Sequence, residues 1–201
     1  MNTCECQLNK LPAHTSDLTL FQSLPTTHML RTLILEHARI FAFLSELSSV
    51  EQQLESMDSL DDNPDIAVQM RYLVDHLLRS ERHHIREENV LIRRLDKMKV
   101  YAPGNDIRKQ HDVLRVKKRE LENLVYRIHT MYFTDFKKEV KQAISHAVSG
   151  LQEHIKLEDS VLFPTALKHI PEDEWAQMKK ECDTIGYCCF TPNSKTELIE
   201  I

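Results

Sequence analysis

Apolar residues recur at alternating spacings of three and four in separate stretches of this chain, and no other feature limits its fold as much. Leu30, Leu33, His37, Ile40, Leu44, Leu47 and Leu54 form the first stripe, with one step missed near Glu51. Such a spacing marks one face of a helix, and Thr26 or Thr27 is the expected N-cap. Asn63-Pro64 opens the second helix, with Asn as cap and Pro in the first helical position, and the pattern predicts a run to about Met98. Pro103-Gly104-Asn105 then breaks the chain. The third stripe is Ile107, His111, Leu114, Leu121, Val125, Ile128 and Tyr132. Thr134 or Asp135 caps a fourth, made of Phe136, Val140, Ala143, Ala147, Leu151, His154, Glu158 and Val161, which is expected to end near Pro164. Pro171 opens a short fifth helix, Glu172 to Asp183, which Trp175 docks and Gly186 ends.

Long helices joined by short breaks predict an all-α, up-down-up-down four-helix bundle with a short C-terminal fifth helix. The expected bundle spans residues 26–190, between an irregular segment at 1–25 and a loose polar tail at 191–201. Val-Ile-Thr alternation is absent and there are only 3 glycines, which argues against a Gly-rich barrel or a nucleotide fold built on Gly loops. No run of about 18 apolar residues exists, so no membrane span is expected. The start, MNTCECQLNK, lacks the layout of a signal peptide. The expected location is cytoplasmic, with Cys4, Cys6, Cys182, Cys188 and Cys189 as reduced thiols. A net charge of −5 does not indicate a nucleic-acid-binding surface. The acidic run Glu46, Glu51, Glu55, Asp58, Asp61, Asp62 and Asp65 reads as a solvated face, with a protein-binding surface as the alternative.

The chain has 11 histidines, and their placement is more informative than their number. His37, His111, His154 and Glu158 fall on apolar stripes, where burying even a neutral polar group unpaired costs about 2–7 kcal/mol. A lone core histidine is usually satisfied by a hydrogen bond. Here, however, two segments share the pattern H-x-x-x-E-[ED]-[NS]-V-L: His83 to Leu91 and His154 to Leu162. His and Glu four apart lie one turn apart on one helical face. The repeat pairs His83 with His154 and Glu87 with Glu158; by spacing alone, His84 with Glu88 is a rival pair. With a rise of about 1.5 Å per residue, His37, His83, His111 and His154 reach compatible levels, nearer the end that holds the N-termini of helices one and three. Four histidines and two glutamates without sulfur suit iron or manganese, and two carboxylates can bridge two ions. Structural zinc needs only four ligands, often cysteines. A di-iron site is the economical reading.

Glu36-His37, His83-x-x-x-Glu87, His111, and His154-x-x-x-Glu158 followed by Leu162-Phe163-Pro164 resemble the hemerythrin family in its broad HHE cation-binding branch. The resemblance covers about residues 25–190. Leu24-Pro25 through His37 and Glu172 through Tyr187 look like a bacterial subgroup that joins the bundle to a PAS domain; here a stand-alone bundle is expected. The resemblance implies two non-haem iron ions, which an oxo group can bridge, with an open position for oxygen, nitric oxide or a peroxide. It makes His37, His83, His111 and His154 terminal ligands, and Glu87 and Glu158 bridging or chelating carboxylates. The family's oxygen carriers have a further histidine four residues after the one matched by His111. Here that position is Arg115, and His84 or a water is left to fill the gap. Arg115 is expected to face solvent, with stabilisation of a bound anion as the alternative. His76 is a satisfied seam residue or a support for a ligand. His28 stands where the subgroup has Gly-His-Pro, and His129 and His146 lie away from the site.

The expected function is binding or sensing of oxygen or nitric oxide at a di-iron centre. The alternative at the same centre is iron handling, repair of iron–sulfur centres, or reduction of nitric oxide or peroxide. A metal-free or zinc-stabilised interaction bundle is the reading without redox chemistry.

Overall fold

The computed structural model describes residues 23–187. The segment and tail expected at the two ends, with Cys4, Cys6, Cys188 and Cys189, therefore lie almost wholly outside the described residues. What is described is a helical bundle, with no strand among the described residues. Helix α1 is Met29–Glu55. A second rod is built from α2 (Ile66–Arg79), α3 (Glu81–Arg86), a π-helical turn (Glu87–Ile92) and α4 (Arg93–Lys97). Helix α5 is Gly104–Tyr126. A further rod joins α6 (Phe133–Leu157), a second π-helical turn (Glu158–Leu162) and α7 (Phe163–His169). A 3-10 turn, Glu172–Glu174, leads into α8, Trp175–Ile185. Helices α1 and α5 each pack against both α2 and α6, and α8 lies across α1, α3 and the first π turn.

The apolar stripes fill two separate clusters. The larger runs from Ile40 and Leu44 through Leu73, Leu121 and Leu151 to Ile155. The smaller holds the first turns of α1 and α5 (Leu30, Leu33, Ile107) with Leu91, Phe163 and Trp175. Between them lies a layer of buried histidines and acids.

Helix boundaries differ from the expected ones for local reasons. His28, not Thr26 or Thr27, caps α1: its Nδ1 accepts from the Leu30 N–H at 3.2 Å. The same ring rests on Trp175 at 4.4 Å between centroids, which docks α8. The second rod starts at Ile66, after a turn in which the Ile66 N–H bonds the Asn63 carbonyl. Helix α5 ends at Tyr126, and Tyr132 is exposed. The fourth helix starts at Phe133, with Tyr132 rather than Thr134 or Asp135 at the cap position, and its buried stripe begins at Phe136 as expected. It also passes Pro164, which falls in the first turn of α7, where the absent N–H has no intrahelical role. Val161, expected on the seam, is exposed, whereas Leu162 and Phe163 are buried. The π turn adds a residue and rotates the face at that point. At the start of α5, a Cβ on Gly104 would collide with Ile92 Cγ2, so this close approach requires glycine. Gly186 ends α8 at φ 82°.

Candidate metal centre

Each π turn begins at the glutamate of the repeated motif, Glu87 in one and Glu158 in the other. Single π turns are common at functional sites, and here the added residue has a visible effect. In the first, Val90, Leu91 and Ile92 are buried in succession, and in the second the buried face passes from Glu158 to Leu162 and leaves Val161 exposed. The motif therefore encodes more than a His-Glu pair one turn apart. It also encodes a change of helical register directly after that pair.

The six residues expected at a metal site converge in the layer between the two apolar clusters, all of them buried. Glu158 Oε2 lies 3.0 Å from His37 Nε2, whereas Glu158 Oε1 lies 2.7 Å from His154 Nε2 and 3.5 Å from His111 Nε2. Glu87 Oε1 lies 3.4 Å from His83 Nε2, and Glu87 Oε2 lies 3.4 Å from His111 Nε2. His37 Nε2 and His83 Nε2 are 3.1 Å apart. Each carboxylate thus turns one oxygen to the His37 and His83 side and the other to the His111 and His154 side. Candidate donor atoms group in the same way, with His37, His83, Glu87 and Glu158 in one set and Glu87, His111, His154 and Glu158 in another, all within 4.8 Å inside each set.

A second layer of side chains fixes how the imidazoles face. Nδ1 of His37 donates to Asp159 Oδ1 at 2.9 Å, and Nδ1 of His83 to Glu36 Oε2 at 2.9 Å. Nδ1 of His111 donates to Glu88 Oε1 at 2.7 Å, and Nδ1 of His154 to Gln110 Oε1 at 2.9 Å. An imidazole whose Nδ1 is held by an outer acceptor presents its Nε2 lone pair inward. Two of these acceptors are themselves pinned. Arg86 bonds both oxygens of Glu36 at 2.6 and 2.7 Å, and Arg115 reaches Glu88 at 2.8 Å.

Against that order stands a set of buried atoms with no hydrogen-bond partner among the described residues. Both oxygens of Glu87, both of Glu158, and Nε2 of His111 and His154 are unsatisfied despite their short separations. Leaving one such group unmade costs about 1–3 kcal/mol, so a cluster of six calls for a cation. The donors are imidazole nitrogen and carboxylate oxygen, the set suited to iron, manganese or zinc, and the residues present fit such a group.

The electrostatics agree. Burial pushes His111 down, but Glu158, Glu87 and Glu88 outweigh it and raise the pKa of this imidazole to about 11. His37 is likewise raised well above its ordinary value, because Asp159 and Glu158 overcome its burial. Burial alone would push Glu158 up, yet His154, His111 and His37 hold its carboxyl well below the usual range. Without a metal ion, protons on imidazoles supply the positive charge these carboxylates need.

A model of the hemerythrin HHE cation-binding domain matches residues 28–186. The chain belongs to that family. The match begins at the His28 cap and ends at Gly186, so it includes every residue of the hemerythrin-type cluster. No curated protein gives a significant match.

Other expectations resolve more simply. His84, undecided from the sequence, is buried beside His111 and His154. His76 belongs to the larger apolar cluster: its Nδ1 donates to the Tyr72 carbonyl at 2.7 Å, and its ring stacks on Phe43. Arg115 was expected in solvent, but it is only partly exposed and bonds Glu81, Glu88 and Asp112. His129, His146 and His169 are exposed. Cys182 is a buried free thiol, pushed up by burial to about 12.

Sequence reasoning did not assign roles to Glu36, Gln110 and Asp159, and it weighed Glu88 only as the rival ligand paired with His84, whereas Glu88 accepts from His111 Nδ1. A signal for them was present. An acid follows the motif glutamate in both repeats, and Glu or Gln directly precedes His37 and His111.

Proposed function

We propose that this chain is a non-haem di-iron protein that binds or senses oxygen or nitric oxide. One observation carries the reading: Glu87 and Glu158 each divide their two oxygens between the two histidine pairs. A single ion would draw both oxygens of a carboxylate to one side, and a divided carboxylate suits two. In this reading His37 and His83 would hold one iron, His111 and His154 would hold the other, and Glu87 and Glu158 would offer an oxygen to each. Iron, when bound, supplies a redox-active point of attachment for a small gaseous ligand. The chain's own part is orientation and exclusion of water. Asp159, Glu36, Glu88 and Gln110 keep the imidazole lone pairs inward. Phe163 stacks on His37 at 5.5 Å, and Leu33 and Ile40 are buried one turn to either side of it. The bundle unit proposed is residues 26–190, its long rods run up-down-up-down, and its setting is the cytoplasm, where Cys182 stays a thiol.

Metal analysis with visible absorption of the anaerobically reduced protein, before and after oxygen, tests the reading. About two irons per chain and a new visible band on oxygenation are expected. Little iron and an unchanged spectrum overturn it.

Metal affinity should also rise with pH. His111 keeps its proton up to a pKa of about 11 in the ion-free protein, and His37 and His83 are raised as well. An imidazole must be neutral to bind, so a metal ion displaces these protons and competes better as pH rises. Calorimetric titrations in buffers of different ionisation enthalpy should show net proton release and an affinity that climbs between about pH 6 and 8. A flat profile contradicts the assignment of these imidazoles as ligands.

A further inference from the structure

The buried layer is built twice from the same plan. His37 and His111 correspond, as do His83 and His154, Glu87 and Glu158, and Glu88 and Asp159. Even the outer acceptors match, since Glu36 receives Nδ1 of His83 just as Gln110 receives Nδ1 of His154. Asp159 receives Nδ1 of His37 just as Glu88 receives that of His111. By this plan the two halves offer identical inner donors, two imidazoles each and two shared carboxylates.

Among the buried imidazoles of this layer, one breaks the correspondence. In the motif of the second rod the position after His83 is His84, and in the motif of the fourth it is Ile155. Both are buried, with Ile155 in the larger apolar cluster. Nothing of the kind satisfies His84. Its Nδ1 has no hydrogen-bond partner among the described residues, and Glu81 Oε2 is 3.5 Å away. Its ring stacks on His111 at 4.0 Å and meets His154 edge-on at 5.4 Å, but stands 6.0 Å from His83. One ring nitrogen from each of His84, His111 and His154 lies within 4.8 Å of the others.

Helical geometry explains how neighbours in sequence part company. Successive side chains project about 100° apart on a helix, and the second rod lies between α1 and α5. His83 therefore reaches toward His37 of α1 while His84 reaches toward His111 of α5. Arg115, one turn beyond His111, is turned to Glu81, Glu88 and Asp112.

We propose that His84 is a third imidazole ligand to the ion held by His111 and His154, so that the tandem His83-His84 serves two different ions. This rests on the two-ion reading above and refines it. The two halves become unequal. One ion has three imidazoles and two carboxylate oxygens, the other two imidazoles and two carboxylate oxygens. The half with fewer donors, at His37 and His83, is the one left with room for a small ligand.

Anaerobic titration with ferrous iron separates the possibilities. The wild type is expected to take two ions. His84→Gln should keep one at unchanged affinity and bind the other at least tenfold more weakly. His84→Glu, which restores a donor, should recover much of that loss. The remote change His76→Gln should leave both ions in place. Because His84 Nδ1 has no hydrogen-bond partner among the described residues, ion-free His84→Gln should unfold near the wild-type temperature. Two ions at wild-type affinity in His84→Gln overturn the assignment while leaving the two-ion reading intact. Fewer than two in the wild type overturns both. A measurement that needs no variant is nitrogen NMR of the Co(II)-loaded wild type. Contact-shifted imidazole nitrogens from five histidines support the proposal, and from four refute it.

Discussion

Replacing Glu158 by Gln is expected to empty both halves of the centre, whereas replacing His37 by Ala should empty one. Glu158 is the only residue whose carboxylate approaches His37, His111 and His154 together among the described residues, at 3.0, 3.5 and 2.7 Å. Its amide counterpart keeps the volume but loses the charge and presents an amide nitrogen to one of the two sides. Even a residue that only supports a metal ligand is typically worth 10–100-fold in affinity. Removing a carboxylate shared by two ions should therefore cost more than about 100-fold at each. After anaerobic loading and desalting, the expected iron content is near zero for Glu158→Gln, near one for His37→Ala and near two for the wild type. Two irons retained in Glu158→Gln would show that this carboxylate bridges nothing. The ion-free protein offers a second readout. Glu158 is one of the groups that raise His37 and His111, so both imidazoles should titrate at lower pH in the variant.

The same carboxylate marks how much was legible in the sequence. The apolar stripes place the helices, and the repeat H-x-x-x-E identifies four of the six inward donors, because both features depend on local periodicity. The boundaries moved where a side chain or an added residue overrode that period. His28 caps α1 because its Nδ1 reaches a free N–H, a role that propensity assigns to Ser, Thr, Asp or Asn. Val161 left the seam because the π turn rotated the face beneath it. The outer acceptors were hidden for another reason. Glu36 and Gln110 sit beside His37 and His111 in sequence but serve His83 and His154 on other rods. A contact between rods has no signature in the spacing of either one. His84 was ambiguous for the same reason, since only the packing of α1 and α5 on either side of the second rod separates its task from that of His83.

The internal repeat also supplies an unusual test of a buried charge pair. Arg86 and Glu36 are both buried, with two hydrogen bonds between them, and the Arg86 guanidinium lies over the Tyr187 ring at 4.5 Å. Truncating one partner of such a pair leaves an uncompensated charge and costs about 3–5 kcal/mol. Arg86→Leu should accordingly lower the unfolding midpoint of the ion-free protein by on the order of 10 °C. The other half of the bundle meets the same need without charge, because the positions corresponding to Glu36 and Arg86 are Gln110 and Leu157. Copying that pair, as Glu36→Gln with Arg86→Leu, should restore most of the loss, since exchanging a buried ion pair for uncharged residues of similar volume is often close to neutral. A double variant no more stable than Arg86→Leu would show that the two halves are not interchangeable. The copy should still differ at the metal. An amide accepts more weakly than a carboxylate from His83 Nδ1, so the His83 imidazole becomes less basic and its ion should bind about tenfold more weakly. The charged pair then acts chiefly on the ligand strength of His83, at the half proposed to take the small ligand, and its contribution to the stability of the bundle is small.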